Sequence, residues 1–389
     1  MTVVTVYFAT NRQPLVAPRT TRIVDFNSEL GPTGGLDVRY GSAKVDVNLA
    51  QRSMRYLPDT LEVADQTLLF AAGEQPVLGS KTIFDAIRQN MATGGRPAIA
   101  FIHGFSNSFS DAIARAGWIL GFYGMDAEMF VFTWPSRGSP VGVPLPYADY
   151  AHDRGTAAAS GPAVARTIRR LYDYVDSLSQ EARCGQSIHL LCHSMGNYVL
   201  RNAVQALMRL PDPGAGAPGD DIRAMAALSA AAPDPSVLRK SFDRIVLAAA
   251  DEDEDAFDDP LKLKYLPRLG QSVTVYHSPK DWVLNTLSAV TKFNGPRLGS
   301  NGPDNMGTIS DKVSAVDVSD VISFAQDPEN HQYYRVFPAV RDDIVSVLSG
   351  LAPNQIPNRT AVSEGRWRIG VAPTRRAPRP RPGPGRRSG

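Results

Sequence analysis

The chain reads as an α/β protein, with a mostly parallel central sheet and helices on both faces. Three observations lead there. Short β-branched and apolar runs recur along the chain, segments of helical periodicity separate them, and the runs are apolar nearly throughout. The runs are 98–103 (AIAFIH), 129–133 (MFVFT), 188–192 (IHLLC), 244–249 (RIVLAA) and 273–277 (VTVYH). A weaker sixth stands at 313–318 (VSAVDV), and helical patterns fill 110–120 and 161–178 between them. Strands without polar alternation are buried on both faces, as in a parallel sheet covered by helices. Strand-like pieces at 3–8 and 43–47 join the same sheet as N-terminal strands.

Residues 1–350 are read as a single domain, with N-terminal strands and long connections over 1–95 and a core over 96–350. Residues 351–370 are a C-terminal extension. The last nineteen residues, 371–389, hold six Arg, five Pro and no acid. Such a segment buries no core and is expected to be disordered. Without it the chain carries 35 basic and 39 acidic residues, a net of −4, against +2 for the whole. The body is mildly acidic and the tail basic, which makes the tail either a solubilising segment or a contact for an anionic partner such as nucleic acid or membrane. No specific nucleic-acid binding is predicted. A hydrophobic content of 43% and a charged content of 21% are those of an ordinary globular protein.

Two cysteines, Cys184 and Cys192, are too few and too close to staple a fold of 389 residues. Both are read as free thiols in a reducing compartment. The first residues (MTVVTVYFATNR) lack the basic region, apolar stretch and cleavage site of a signal peptide. No apolar run approaches the roughly 18–20 residues that span a bilayer. The expectation is a cytoplasmic protein without a transmembrane segment.

The strongest motif is Cys192-His193-Ser194-Met195-Gly196, between the apolar run 188–192 and a helix-like stretch at 197–210. Strand, sharp turn and helix in that order form a nucleophile elbow, with Ser194 as nucleophile. The turn lifts the serine oxygen clear of the sheet, and its neighbours must be small because backbones crowd there. The usual first glycine of G-x-S-x-G is Cys192 here. The competing readings are a serine opening an ordinary helix, and Cys192 as nucleophile, although Cys192 belongs to the strand and points into packed structure.

In hydrolases built on such an elbow the triad runs Ser, acid, His along the chain. Of six histidines (His103, His152, His189, His193, His277, His331) only His277 and His331 follow Ser194. His277 sits in a strand, whereas His331 lies in a polar loop (DPENHQYY) and is the candidate base. Asp281, just past the strand 273–277, is the candidate acid. Asp251 and Asp253 are the alternatives, in an acidic cluster at 251–255 otherwise read as a solvated helix start. That cluster lacks the glycine and spaced ligands of a calcium loop, and a serine triad needs no metal or organic cofactor, so none is expected. His103 and Gly104 end an early strand, the usual source of an oxyanion donor. The two donors are expected to be the N–H groups of Phe105 and Met195, with His103, Gly104, His193 and Gly196 in support.

The chain resembles a bacterial family of α/β-hydrolases catalogued as a domain of unknown function. The matching segments are YFATNR at 7–12, YG at 40–41, HGFSNSF at 103–109, FTWPS at 132–136, HSMGN at 193–197, LAAAD at 247–251, YHSPKD at 276–281 and HQYY at 331–334. The resemblance spans roughly residues 3–350. It implies an α/β-hydrolase fold of the esterase or lipase kind with the same triad, and it implies no particular substrate. The expected activity is cleavage of a small-molecule carboxylic ester through an acyl-enzyme. An acyltransferase would use the same residues, and a non-catalytic binding protein on a hydrolase fold is the reading from another class. Phe105, Phe109, Trp134, Tyr147, Trp282 and Tyr333 either line an acyl site or belong to the core, and 136–153 is a candidate lid.

Overall fold

The computed structural model describes residues 1–66, 77–137, 147–210, 232–288 and 295–370. The Arg/Pro tail, residues 138–146 of the candidate lid and the side chain of Tyr147 lie outside the described residues. The chain enters through β1 (Thr2–Thr10), a hairpin of β2 (Arg12–Val16) and β3 (Ile23–Leu30), then β4 (Arg39–Asn48) and β5 (Ser53–Val63). The order continues with α1 (Gly79–Gly94), β6 (Ala98–Ile102), α2 (Phe109–Tyr123), β7 (Glu128–Thr133) and α3 (Tyr147–Ser177). It ends with β8 (Ile188–His193), α4 (Gly196–Leu207), β9 (Phe242–Ala248), β10 (Gly270–His277), β11 (Val313–Asp317), α5 (Pro338–Leu348), β12 (Arg359–Ser363) and β13 (Arg366–Ile369).

Among the described residues eleven strands form one sheet, in the order β12-β13-β11-β10-β9-β8-β6-β7-β1-β4-β5. From β13 across to β1 every pairing is parallel, and antiparallel strands close both edges. The apolar runs seen in the sequence are the central strands. They are buried on both sides because α1, α3 and α4 pack on one face and α2 and α5 on the other. Alternation along each strand divides its side chains between the two layers: Ala98 and Ile102 of β6 face one, Ile99 and Phe101 the other.

Local chemistry fixes the helix ends. Ser108 and Asp111 form a capping box at the start of α2, and Gly124 ends that helix in the left-handed conformation. Phe109, at its first turn, meets Phe8 and Phe26 edge-on or tilted at 5.2 and 4.9 Å, so it belongs to the core. No helix among the described residues is long and apolar enough to cross a membrane.

Two readings change. The segment assigned to an extension after residue 350 contributes β12 and β13 to the main sheet, where β13 pairs in parallel with β11. The acidic cluster is not a solvated helix start: Asp251 and Glu252 are buried, no helix forms there, and each carboxylate has partners. Burial of several acids is stable only when hydrogen bonds and counter-charges replace water. The structure supplies Tyr150 and Ser288 to Asp251, Arg201 to Glu252, and Arg297 with Lys262 to Asp253.

The chain leaves β6 toward β7 on one side and β8 toward β9 on the other. The carboxyl ends of β6 and β8 therefore flank the point where strand order reverses, the natural place for a ligand crevice in an open α/β sheet.

Candidate active site

Ser194 sits between the end of β8 and the start of α4 with φ at 52°, a left-handed value that costs a non-glycine residue on the order of 1–3 kcal/mol. The surroundings hold it there. Its N–H donates to the Ala248 carbonyl at 3.0 Å. Its own carbonyl accepts from the N–H groups of Asn197 and Asp251 and from Asn197 Nδ2, at 2.9–3.2 Å. A Cβ on Gly196 would stand 2.5 Å from the Ile102 carbonyl oxygen and 2.6 Å from that of His103. A Cβ on Gly104 would stand 2.8 Å from that of Ser194. The small residues of the motif therefore let the turn after β6 lie directly against the elbow. Cys192, where a glycine is usual, is wholly buried on β8, and burial pushes its thiol pKa well up. A buried, protonated thiol is no nucleophile.

Asp281 follows β10 and is fully buried. One carboxylate oxygen accepts from the Leu284 N–H at 3.0 Å, and the other lies 2.7 Å from His331 Nδ1. Nδ1 must carry the proton in that bond, which leaves Nε2 as the basic atom of the ring. The acid and histidine loops are tied together by a bond from the Trp282 N–H to the Glu329 carbonyl. Burial lowers the pKa of His331, but the Asp281 carboxylate and its hydrogen bond outweigh it, and the net direction is up. Burial likewise raises the Asp281 carboxyl against the pull of His331.

His193 joins the histidine loop to the elbow. Its ring lies 4.8 Å from that of His331, centroid to centroid, and its Nε2 bonds the His331 carbonyl at 3.0 Å. A carbonyl only accepts, so Nε2 is the protonated atom, and burial keeps this imidazole neutral. His277, the other histidine after Ser194, ends β10 and faces the Ser300 carbonyl. The alternative acids have other partners: Asp251 accepts from Tyr150 and Ser288, and Asp253 pairs with Arg297 and Lys262.

The turn after β6 is held by residues that the sequence left unassigned. Asn107 Nδ2 donates to the carbonyls of Gly104 and Phe105. Arg12, buried beneath, donates to the carbonyls of Asn107, Ser136 and Asn27 and to Thr133 Oγ1. Burial pulls its pKa down to about 9, which leaves it charged at neutral pH. A lone arginine at the end of an apolar strand was the available signal. His103 stacks on Trp134, accepts from its N–H and bonds the Gly104 carbonyl, so it shapes the turn as a neutral ring. Among the described residues neither the Phe105 nor the Met195 N–H donates to a protein acceptor.

Of the aromatic residues considered for an acyl site, Trp134 and Tyr333 are fully buried in the core with Phe109. Tyr333 accepts from the Ala249 N–H and donates to the Tyr276 carbonyl. Phe105 is half-buried against Tyr150, and Trp282 is exposed. Both cysteines are free.

No curated protein matches the chain. The sequence profile of a family described as alpha/beta hydrolase of unknown function (DUF900) matches residues 85–348, which span β6 to α5 and every residue of the Ser194, Asp281 and His331 arrangement. By that match and by its sheet, the chain belongs to the DUF900 family of α/β hydrolases.

Proposed function

We propose that the protein is a serine hydrolase that cleaves carboxylic esters through an acyl-enzyme. The observation that carries this reading is the buried His331–Asp281 pair, at 2.7 Å, joined through His193 to the elbow that holds Ser194.

Ser194 Oγ attacks the acyl carbonyl while His331 Nε2 takes its proton. Asp281 holds the imidazole in the tautomer with Nδ1 protonated and stabilises the imidazolium as it forms. The tetrahedral oxyanion is met by the N–H groups of Phe105 and Met195, each worth on the order of 3 kcal/mol to the transition state. The imidazolium returns its proton to the departing alkoxide, which leaves as the alcohol. A water then loses a proton to His331, attacks the acyl-serine carbonyl and releases the acid, and the proton goes back to Ser194. Apart from the ester and the hydrolytic water, these steps use only side chains and backbone groups of this chain.

The test is hydrolysis of short p-nitrophenyl esters by the wild type and by Ser194→Ala. The wild type should turn over, and the variant should lose at least about 10³-fold in kcat. Equal rates would remove Ser194 from the mechanism.

A further inference from the structure

The face of the sheet under α1 and α3 is not closed. β6 turns Ala98 and Ala100 toward this face. In register beside Ala100 stand Phe130 on β7 and Leu190 on β8. Small side chains between large ones leave a slot of about 90 Å3, roofed by α1 and α3 and lined almost wholly by apolar groups. Ala100 is only half-buried, although its strand lies in the middle of an eleven-stranded sheet. The slot follows β6 from Ala98 to Ile102, about 13 Å at roughly 3.3 Å per residue.

At the amino ends of β8 and β9 the slot meets a cleft of about 390 Å3. Phe84, Ile87, Leu171, Ile188 and Phe242 line both, so the two adjoin across these side chains. The cleft differs from the slot in chemistry. Four basic side chains border it, Arg88, Arg183, Arg239 and Lys240, against two acids, Asp176 and Asp243. Arg239 pairs with Asp176 and Lys240 with Asp243. Arg88 donates to Tyr174 and the Ala182 carbonyl. Arg183 is exposed, with no ion pair or side-chain hydrogen bond among the described residues. The mouth is thus cationic and the interior apolar. A polar group sent into the slot loses its water without compensation, whereas a methylene chain gains from burial. Only one strand separates β7 from β8, a width of about 10 Å from backbone to backbone, which suits one chain and not two.

We propose that the slot and cleft bind a single-chain carboxylate amphiphile of the fatty-acid type, its tail along Ala98 and Ala100 and its carboxylate at Arg183. The mouth of the site lies at the amino ends of the strands, away from Ser194, and the slot runs from there along β6 to Ile102; the proposal is independent of the hydrolase reading.

Cys184 lines the cleft and is half-buried, whereas Cys192 is fully buried with its thiol pKa pushed up by burial. A thiol reagent on the native full chain therefore reads the mouth of the site. Octanoate, decanoate and dodecanoate, below their micelle concentrations, should slow alkylation of Cys184 saturably, with affinity tightening about fourfold per added methylene. Arg183→Glu should weaken decanoate about fivefold or more and leave unfolding and ester hydrolysis unchanged. Ala100→Leu should fill the slot and abolish protection. If that variant does not fold, the chain-length series and Arg183→Glu decide. Alkylation indifferent to all three acids, or protection that ignores chain length, would overturn the proposal. So would decanol protecting as well as decanoate with Arg183→Glu unaffected.

Discussion

Replacing Asp281 by Asn tests the buried acid–base pair with two coupled readouts. The wild-type carboxylate accepts from His331 Nδ1 at 2.7 Å and from the Leu284 N–H at 3.0 Å, with no water exposure. An amide has one oxygen. If it keeps the Leu284 bond, its NH2 group faces His331, and the imidazole can meet it only with Nδ1 unprotonated. Nε2 then carries the proton and cannot take one from Ser194. The same substitution in the serine-protease triad costs about 10⁴ in kcat, and a loss of 10³–10⁴ is expected here, roughly 4–5.5 kcal/mol of barrier. The pH profile should change as well. In the wild type His331 titrates above its ordinary value near 6.5 because Asp281 outweighs burial. The acid limb of kcat/KM should therefore lie above pH 6.5. In Asp281→Asn burial is opposed only by the weaker pull of Glu329 and Asp327, so the residual activity should have its acid limb shifted to lower pH than in the wild type. Stability follows the same linkage. A histidine with a raised folded pKa contributes stability that is fully present below pH 6.5 and is lost as pH rises through the folded pKa. The deficit of the variant in urea, about 1.5–3 kcal/mol for a charge-assisted bond, should thus be larger at pH 5.5 than at pH 9. A variant within threefold of the wild-type rate, or with an unmoved acid limb, would show that Asp281 does not set the tautomer and charge of His331.

Other perturbations separate the parts of the site. Asp251→Asn should keep kcat within about tenfold of wild type, because Asp251 serves Tyr150 and Ser288 and not His331; a loss as large as that of Asp281→Asn would transfer the acid role. Gly196→Ala drives a Cβ into the carbonyls of Ile102 and His103, atoms of a central strand end that do not move cheaply; it should cost about 3 kcal/mol in urea unfolding, and a cost under about 0.5 kcal/mol would contradict the close approach. Arg12→Met strands the buried carbonyls of Asn107 and Ser136 and the part-buried one of Asn27 and should cost about 3–5 kcal/mol, with Arg12→Lys recovering only part because one ammonium cannot span the same acceptors. An Arg12→Met protein as stable as wild type would show that the guanidinium does not clamp the Asn107 turn.

The parts legible in the sequence are those set by short-range pattern. The apolar runs became the central strands because only burial on both faces accommodates them. The candidates Ser194, Asp281 and His331 each lie just beyond a strand end or in the following loop, where chain order left few choices, and the structure joins Asp281 to His331. What was not legible depends on partners far away in sequence. The cluster at 251–255 looks like a solvated helix start until Tyr150, 101 residues earlier, and Ser288, 37 residues later, are brought to Asp251. β12 is nearly all exposed and has no apolar alternation to announce it. It is anchored by Arg359, which bonds Asp343 on α5 at 2.6 Å, next to the Tyr276 hydroxyl of β10. Trp134 and Tyr333 carried apolar bulk that fits an acyl site as well as a core, and only their hydrogen bonds to His103 and Ala249 assign them to structure. His193 lies within the nucleophile motif, yet its bond to the His331 carbonyl crosses 138 residues.

In the proposed mechanism Ser194 is an activated nucleophile. A fluorophosphonate probe applied to the native full chain, followed by digestion and mass spectrometry, tests it directly. One stoichiometric adduct is expected on Ser194, absent from Ser194→Ala and strongly slowed in Asp281→Asn. Absence of labelling in the wild type, or an adduct on another residue, would contradict it.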